Sequence, residues 1–173
     1  NVLFPIKEDR AYDLKAESVQ QYAAEINTRL DLEVIPAATP REAVSGCDMV
    51  VTAGPMLKKP HATIRAGWLD EGAFASLVDF DSYWHPDAMR ETAKFCTDDT
   101  PQLRQYQQSG FFQGIPEVHA DLGQLATGKK PGRETQQERT MTANLGLALN
   151  DMAVAPLVYH KAKEKGIGTW LDL

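Results

Sequence analysis

The chain has 173 residues, 43% hydrophobic and 24% charged, with a net charge of −6, which suits one sizeable globular core. The acidic balance argues against a nucleic-acid surface, since Lys129, Lys130 and Arg133 are split by Gly and Pro and followed by Glu134. No apolar run reaches the roughly 20 residues that span a bilayer, and no signal-peptide pattern is read near Asn1, so no membrane partner is expected.

In chain order, "EDRAYD" reads as a strand ending in an acid at Asp13. From Ala16 to Leu30, Val19, Tyr22, Ala23, Ile26 and Leu30 mark one face of an amphipathic helix. "LEVIPAA" is a short strand. "TPREAVSG" predicts a helix with Thr39 as N-cap, Pro40 at the first position and Gly46 as stop. "CDMVVTAG" is a β-branched strand, and "AFASLVDFD" (73–81) is another buried one. "PDAMRETA" reads as helix, "KFCTDD" as extended, and "TPQLRQYQQSG" as a helix with a Thr-Pro start and a Gly stop. "PEVHADLGQLATG" predicts a short helix ended by Gly128. From Met141 to about Lys165, Leu145, Leu149, Met152, Ala153, Pro156 and Leu157 predict one long helix, kinked at Pro156 and closed by Gly166 and Gly168.

Short apolar strands alternating with amphipathic helices imply an α/β fold, a mostly parallel sheet covered on both faces and wound right-handed. Cys47 and Cys96 form no CxxC and suit a reduced, cytoplasmic protein. His61, His85, His119 and His160 show no metal-ligand spacing, so no metal is expected.

Four places could carry chemistry. Asp13 follows a strand, where nucleotide-binding folds place a ribose-binding acid about 20 residues after a Gly-rich turn. No glycine precedes it here, and a solvated helix cap explains it as well. Thr52, Ala53 and Gly54 end a strand with small residues that let a ligand approach the backbone, or simply make a turn. Asp79 and Asp81 close "SLVDFD"; alternation would put both on one face at the strand's carboxyl end, where burial would raise at least one pKa. A surface turn is the other reading. Asn144 and Gly146 open the long helix, whose N-terminus would attract anions, though Asn144 also suits a plain cap.

Taken in order, "AYDLKAES", "TPREAVSGCDMVVTAG", "GWLDEGAFASLVDFDSYW", "EVHADLGQLATGKKPGRETQQERT" and "NLGLALNDMAVAPLVYHKAKEKGIGTWLDL" resemble the ornithine cyclodeaminase/mu-crystallin family over almost the whole chain. Family members are roughly twice as long. The resemblance therefore implies a carboxyl-terminal half: residues 1–140 a partial, Rossmann-like NAD-binding domain lacking its first strand and Gly-rich loop, and 141–173 a helix returning to an absent dimerisation and substrate domain. It also accounts for Asn1 as first residue, whether the fragment is natural, engineered or proteolytic, and implies that the fragment alone is inactive.

The resemblance further implies an enzyme acting on an amino acid or cyclic imine. Asp81 falls at the family's catalytic aspartate. Asp13 falls at the ribose acid, favouring NAD over NADP, with Lys15 keeping NADP open. Thr52, Ala53, Gly54, Asn144 and Gly146 are expected to line the cofactor. Asp79 and Phe80 depart from a pair of small residues, usually glycines, which would reshape the pocket beside the nicotinamide. A homodimer or larger oligomer is implied. The alternative from another class is a non-catalytic NAD(P)- or small-ligand-binding protein, as in the crystallin branch.

Overall fold

The computed structural model describes residues 4–30 and 32–171. Among these residues the strands are β1 (Glu8–Ala11), β2 (Glu33–Pro36), β3 (Met49–Thr52), β4 (Phe74–Leu77), β5 (Lys94–Thr97), β6 (Val118–Asp121) and β7 (Thr140–Ala143). The helices are α1 (Ala16–Leu30), α2 (Pro40–Val44), α3 (Pro86–Arg90), α4 (Thr100–Gln108), α5 (Leu122–Ala126) and α6 (Ala148–Lys165). All pairings are parallel: β1 with β2, and a five-stranded sheet in the order β3-β4-β7-β5-β6. This is the expected α/β class. Among the described residues β1 and β3 do not pair with each other, so each sheet ends on an edge there.

Helix α1 has the bounds its periodicity predicts, and α2 is capped as expected, with Thr39 Oγ1 accepting from Glu42 N–H at 3.2 Å. Three expectations need correction. Residues 118–121, read as part of a helix, are strand β6; the helix starts only at Leu122, where Asp121 and Gln124 form a reciprocal capping box. Residues 141–143, assigned to the long helix, belong to strand β7, which pairs with β4 on one side and β5 on the other. Strand β4 stops at Leu77, short of both aspartates. A smaller difference is that Asp99, not Thr100, caps α4, accepting from Gln102 N–H at 2.6 Å.

The core sits against the middle of the large sheet. Ala75, Leu77, Phe95, Met141 and Ala143 are buried on it and packed with Trp84, Met89, Leu103 and Phe112. A strand flanked on both faces has no solvent side, which is why all four residues of β5 are buried.

The loop from 129 to 139 seals the amino ends of the strands. Arg133 donates to Gly72 O and, at 3.1 Å, to Thr140 Oγ1; Arg139 Nε donates to Leu69 O at 2.8 Å. Lys94, the first residue of β5, is buried beside Glu134 and Glu138 at 2.7 and 3.1 Å. That end is closed by structure, which leaves the carboxyl ends for chemistry. No helix among the described residues is long and apolar enough to cross a membrane.

Candidate functional site at the carboxyl ends of the strands

Asp13 lies two residues past β1 and is exposed. Its Oδ1 accepts from Lys15 N–H at 2.7 Å, an Asx turn that leads into α1. The charges of Asp13 and Asp79 both act, after burial, to raise the Tyr83 phenol above its ordinary pKa. An acid after β1 and the turns after β3 and β4 thus border one corner of the molecule, although their sheets do not pair.

Thr52 ends β3, and Ala53 and Gly54 follow it. Thr52 donates to Asp79 Oδ1 at 2.8 Å and accepts from Trp84 Nε1 at 3.2 Å; Gly54 N–H donates to Asp79 Oδ2 at 3.0 Å. Gly54 has a steric reason to be glycine: a Cβ there would come within 2.5 Å of the Tyr83 ring. Asp79 is fully buried, and desolvation raises its carboxyl despite the two bonds from Thr52 and Gly54.

Asp81 is 5% exposed, and burial raises its carboxyl as well. It does not share a face with Asp79. With β4 ended at Leu77, the chain turns at Phe80, whose φ of 62° is left-handed. Asp79 therefore reaches the end of β3, whereas Asp81 Oδ2 accepts from Phe112 N–H, after α4, at 2.6 Å. Asp81 Oδ1 is buried with no hydrogen-bond partner among the described residues. A carboxylate with one oxygen held and the other buried and unpartnered is equipped to take a proton.

Phe80 also differs from expectation. Its ring lies among Tyr106, Phe111 and Phe112, with centroids 4.8, 5.5 and 5.2 Å away, so its bulk fills core.

Asn144 sits at the end of β7, donating to Ser76 Oγ at 2.9 Å, and does not cap α6; Leu147 occupies the cap, with no side-chain bond. Gly146 N–H and Leu145 N–H both donate to Asp98 Oδ2 at 2.8 Å. Asp98 follows β5 and fixes the β7–α6 turn; it is not among the residues expected at the site, and its one sequence signal, an acid just after an apolar strand, is masked by the Thr-Pro helix start beside it.

The chain is 30% identical to the alanine dehydrogenase of Archaeoglobus fulgidus over 175 residues, 96% of the chain and 52% of that protein. It is 26% identical to a Delta(1)-pyrroline-2-carboxylate reductase of Bacillus cereus, covering 93% of the chain and 51% of the relative. Among solved structures, the Thermococcus litoralis Delta(1)-pyrroline-2-carboxylate reductase with NADH and L-proline superposes with a TM-score of 0.79 at 27% identity, covering 96% of this chain and 53% of that one. An archaeal alanine dehydrogenase dimer with bound NAD gives 0.80, again at 27% identity, over 99% and 54%. The chain spans about half the length of the curated relatives it matches. The family model for ornithine cyclodeaminase/mu-crystallin matches residues 1–166, and the chain belongs to that family.

Proposed function

We propose that this chain is the cofactor-binding half of an NAD-dependent enzyme that acts on an amino acid or a cyclic imine. The carrying observation is Asp81, a buried carboxylate in the turn that follows β4, with one oxygen bound to Phe112 N–H and the other unpartnered among the described residues. NAD, when bound, supplies the hydride acceptor or donor for the alpha carbon. Asp81 takes the proton from the substrate amine or activates water on the imine. The residues suit the cofactor: Asp13 offers an exposed acceptor for ribose hydroxyls, and small residues end β3.

The relatives support the substrate class, being a dehydrogenase of alanine and a reductase of a cyclic imine acid. In this reading a strand and Gly-rich turn from outside the chain run between β1 and β3, whose facing edges are unpaired among the described residues. The groups that hold the substrate's carboxylate come from the same outside segment, and the setting is cytoplasmic. The deciding experiment is a hydride-transfer assay on the protein that carries this chain, with alanine, ornithine and cyclic ketimines. Turnover of one of them is expected; NAD binding without turnover of any would favour a ligand-binding protein of the crystallin type.

Asp13 sets cofactor choice. An acid that accepts from both ribose hydroxyls repels a 2′-phosphate. Asp13→Ser should weaken NAD and shift preference toward NADP, read as the ratio of the two dissociation constants. An unchanged ratio removes Asp13 from this role.

Helix α6, whose partner domain in this reading lies outside the chain, makes the isolated chain self-associate. It has no buried residue, and Leu149, Met152 and Leu157 are 72%, 71% and 54% exposed. Apolar surface of this kind drives association. The isolated chain should sediment as a dimer or larger species at micromolar concentration, and Met152→Lys with Leu157→Lys should reduce that association. A monomeric parent chain would refute it.

A further inference from the structure

We infer that Asp79 is a positioning residue for the cofactor wall, and that Thr52 and Gly54 form this wall without donating hydrogen bonds to the cofactor. The inference rests on the NAD reading above and adds to it which groups remain free to touch the ligand.

Thr52 Oγ1 spends its one proton on Asp79 Oδ1 and accepts from Trp84 Nε1; Gly54 N–H spends its proton on Asp79 Oδ2. Both carboxylate oxygens are thus committed, and Asp79 has no exposed surface through which to meet a ligand. The same short turn holds the loop after β3 further along. Ser82 Oγ donates to Asp79 O at 2.6 Å and accepts from Leu57 N–H at 2.9 Å. Ser82 O accepts from His61 N–H at 2.8 Å, and Tyr83 donates to Pro55 O at 3.2 Å. Tyr83's ring lies where a side chain at 54 would be. A segment pinned at Thr52, Gly54, Pro55, Leu57 and His61 is set before any ligand arrives, so binding does not have to order it.

Removing the carboxylate leaves Thr52 and Gly54 able to turn. Asn at 79 keeps the volume but presents an amide N–H₂ to one of two donors, so one of the two bonds is lost. The loss should appear in cofactor affinity and not in the chemical step.

The test uses the full-length protein that carries this chain, with NADH as probe. Asp79→Asn is expected to weaken NADH binding roughly tenfold to hundredfold, with turnover at saturating cofactor within about threefold. Thr52→Val should weaken binding similarly, Thr52→Ser should retain it, and the Thr52→Val/Asp79→Asn double variant should be no weaker than the worse single. Additive losses, or loss in Thr52→Val with Asp79→Asn unaffected, would mean that Thr52 binds the cofactor itself and overturn the inference. Wild-type protein that fails to bind NADH overturns both this inference and the NAD reading, whereas normal binding with an unaffected Asp79→Asn overturns this inference alone. Hydrogen exchange in the unmutated protein needs no variant to fold: the Gly54 amide should be protected before NADH is added and no more protected after. A Gly54 amide that becomes protected only with NADH is a ligand donor, and the inference fails.

Discussion

Asp81→Asn should lower turnover of the protein that carries this chain by a factor on the order of 10²–10⁴, the worth of a positioned general base, while raising its thermal stability at neutral pH. Two opposite effects are expected because the same feature produces both. Burial holds the Asp81 carboxyl above its ordinary value, with the bond from Phe112 N–H only partly opposing. Above that raised value the ionised form sits in a dry place with one oxygen unpartnered among the described residues, and folding bears that cost. An asparagine keeps an acceptor for Phe112 N–H and carries no charge to desolvate. Because the folded pKa lies above the unfolded value, the native state binds the proton more readily, and the wild type regains stability as pH falls through the folded pKa. The stability gap between variant and wild type should therefore close on acidification from neutral pH. Asp79 shifts in the same direction, chiefly through its own burial; the Asp81 charge adds a smaller push that Asp81→Asn removes, which works in the same sense. Thermal unfolding at several pH values, beside turnover under saturating cofactor, checks both halves. Full turnover in Asp81→Asn removes Asp81 from the chemistry; a variant less stable at neutral pH means that the charged bond to Phe112 outweighs the burial. A residue that costs stability and supports rate is the expected profile of a working carboxylate.

What the sequence made legible divides along physical lines. Helix α1 was plain because fifteen residues carry an apolar stripe at helical spacing, and α2 because Thr39 and Pro40 are local start signals. Strands β6 and β7 were absorbed into the helices after them because each is four residues long and runs almost directly into helical pattern. Four residues hold too few periods to tell two from 3.6, and the pairing that decides β7 comes from β4 and β5, distant in the chain. At the site, Asp81 was legible as an acid at the end of an apolar run. Where its carboxylate goes was not, because the left-handed turn at Phe80 lacks the glycine that normally announces one. Asp98 and Ser82 act through backbone N–H groups of distant loops, and no spacing rule reports that.

Phe80→Gly should destabilise the chain by about 2–4 kcal/mol, even though it removes a strained backbone. A non-glycine residue at φ 62° costs roughly 1–2 kcal/mol, which glycine would recover. Against that, Phe80 is 6% exposed and packs edge-on to Tyr106 and Phe111 and tilted against Phe112. Deleting a buried Phe side chain costs about 3–5 kcal/mol, and glycine adds up to about 1 kcal/mol through the freer unfolded chain. Burial wins. For a chain of this size the loss corresponds to a fall in midpoint of roughly 5–15 °C. The consequence extends to Asp81, because Phe112 also holds a left-handed φ of 53° and donates the N–H that fixes Asp81 Oδ2. With Phe80's ring gone, that loop loses the surface it packs on, and turnover should fall, though by less than in Asp81→Asn, since the carboxylate itself remains. Phe80→Leu, which keeps part of the apolar volume, should lie between wild type and Phe80→Gly in both readouts. A midpoint that rises in Phe80→Gly would mean that backbone strain at this turn exceeds the packing it secures.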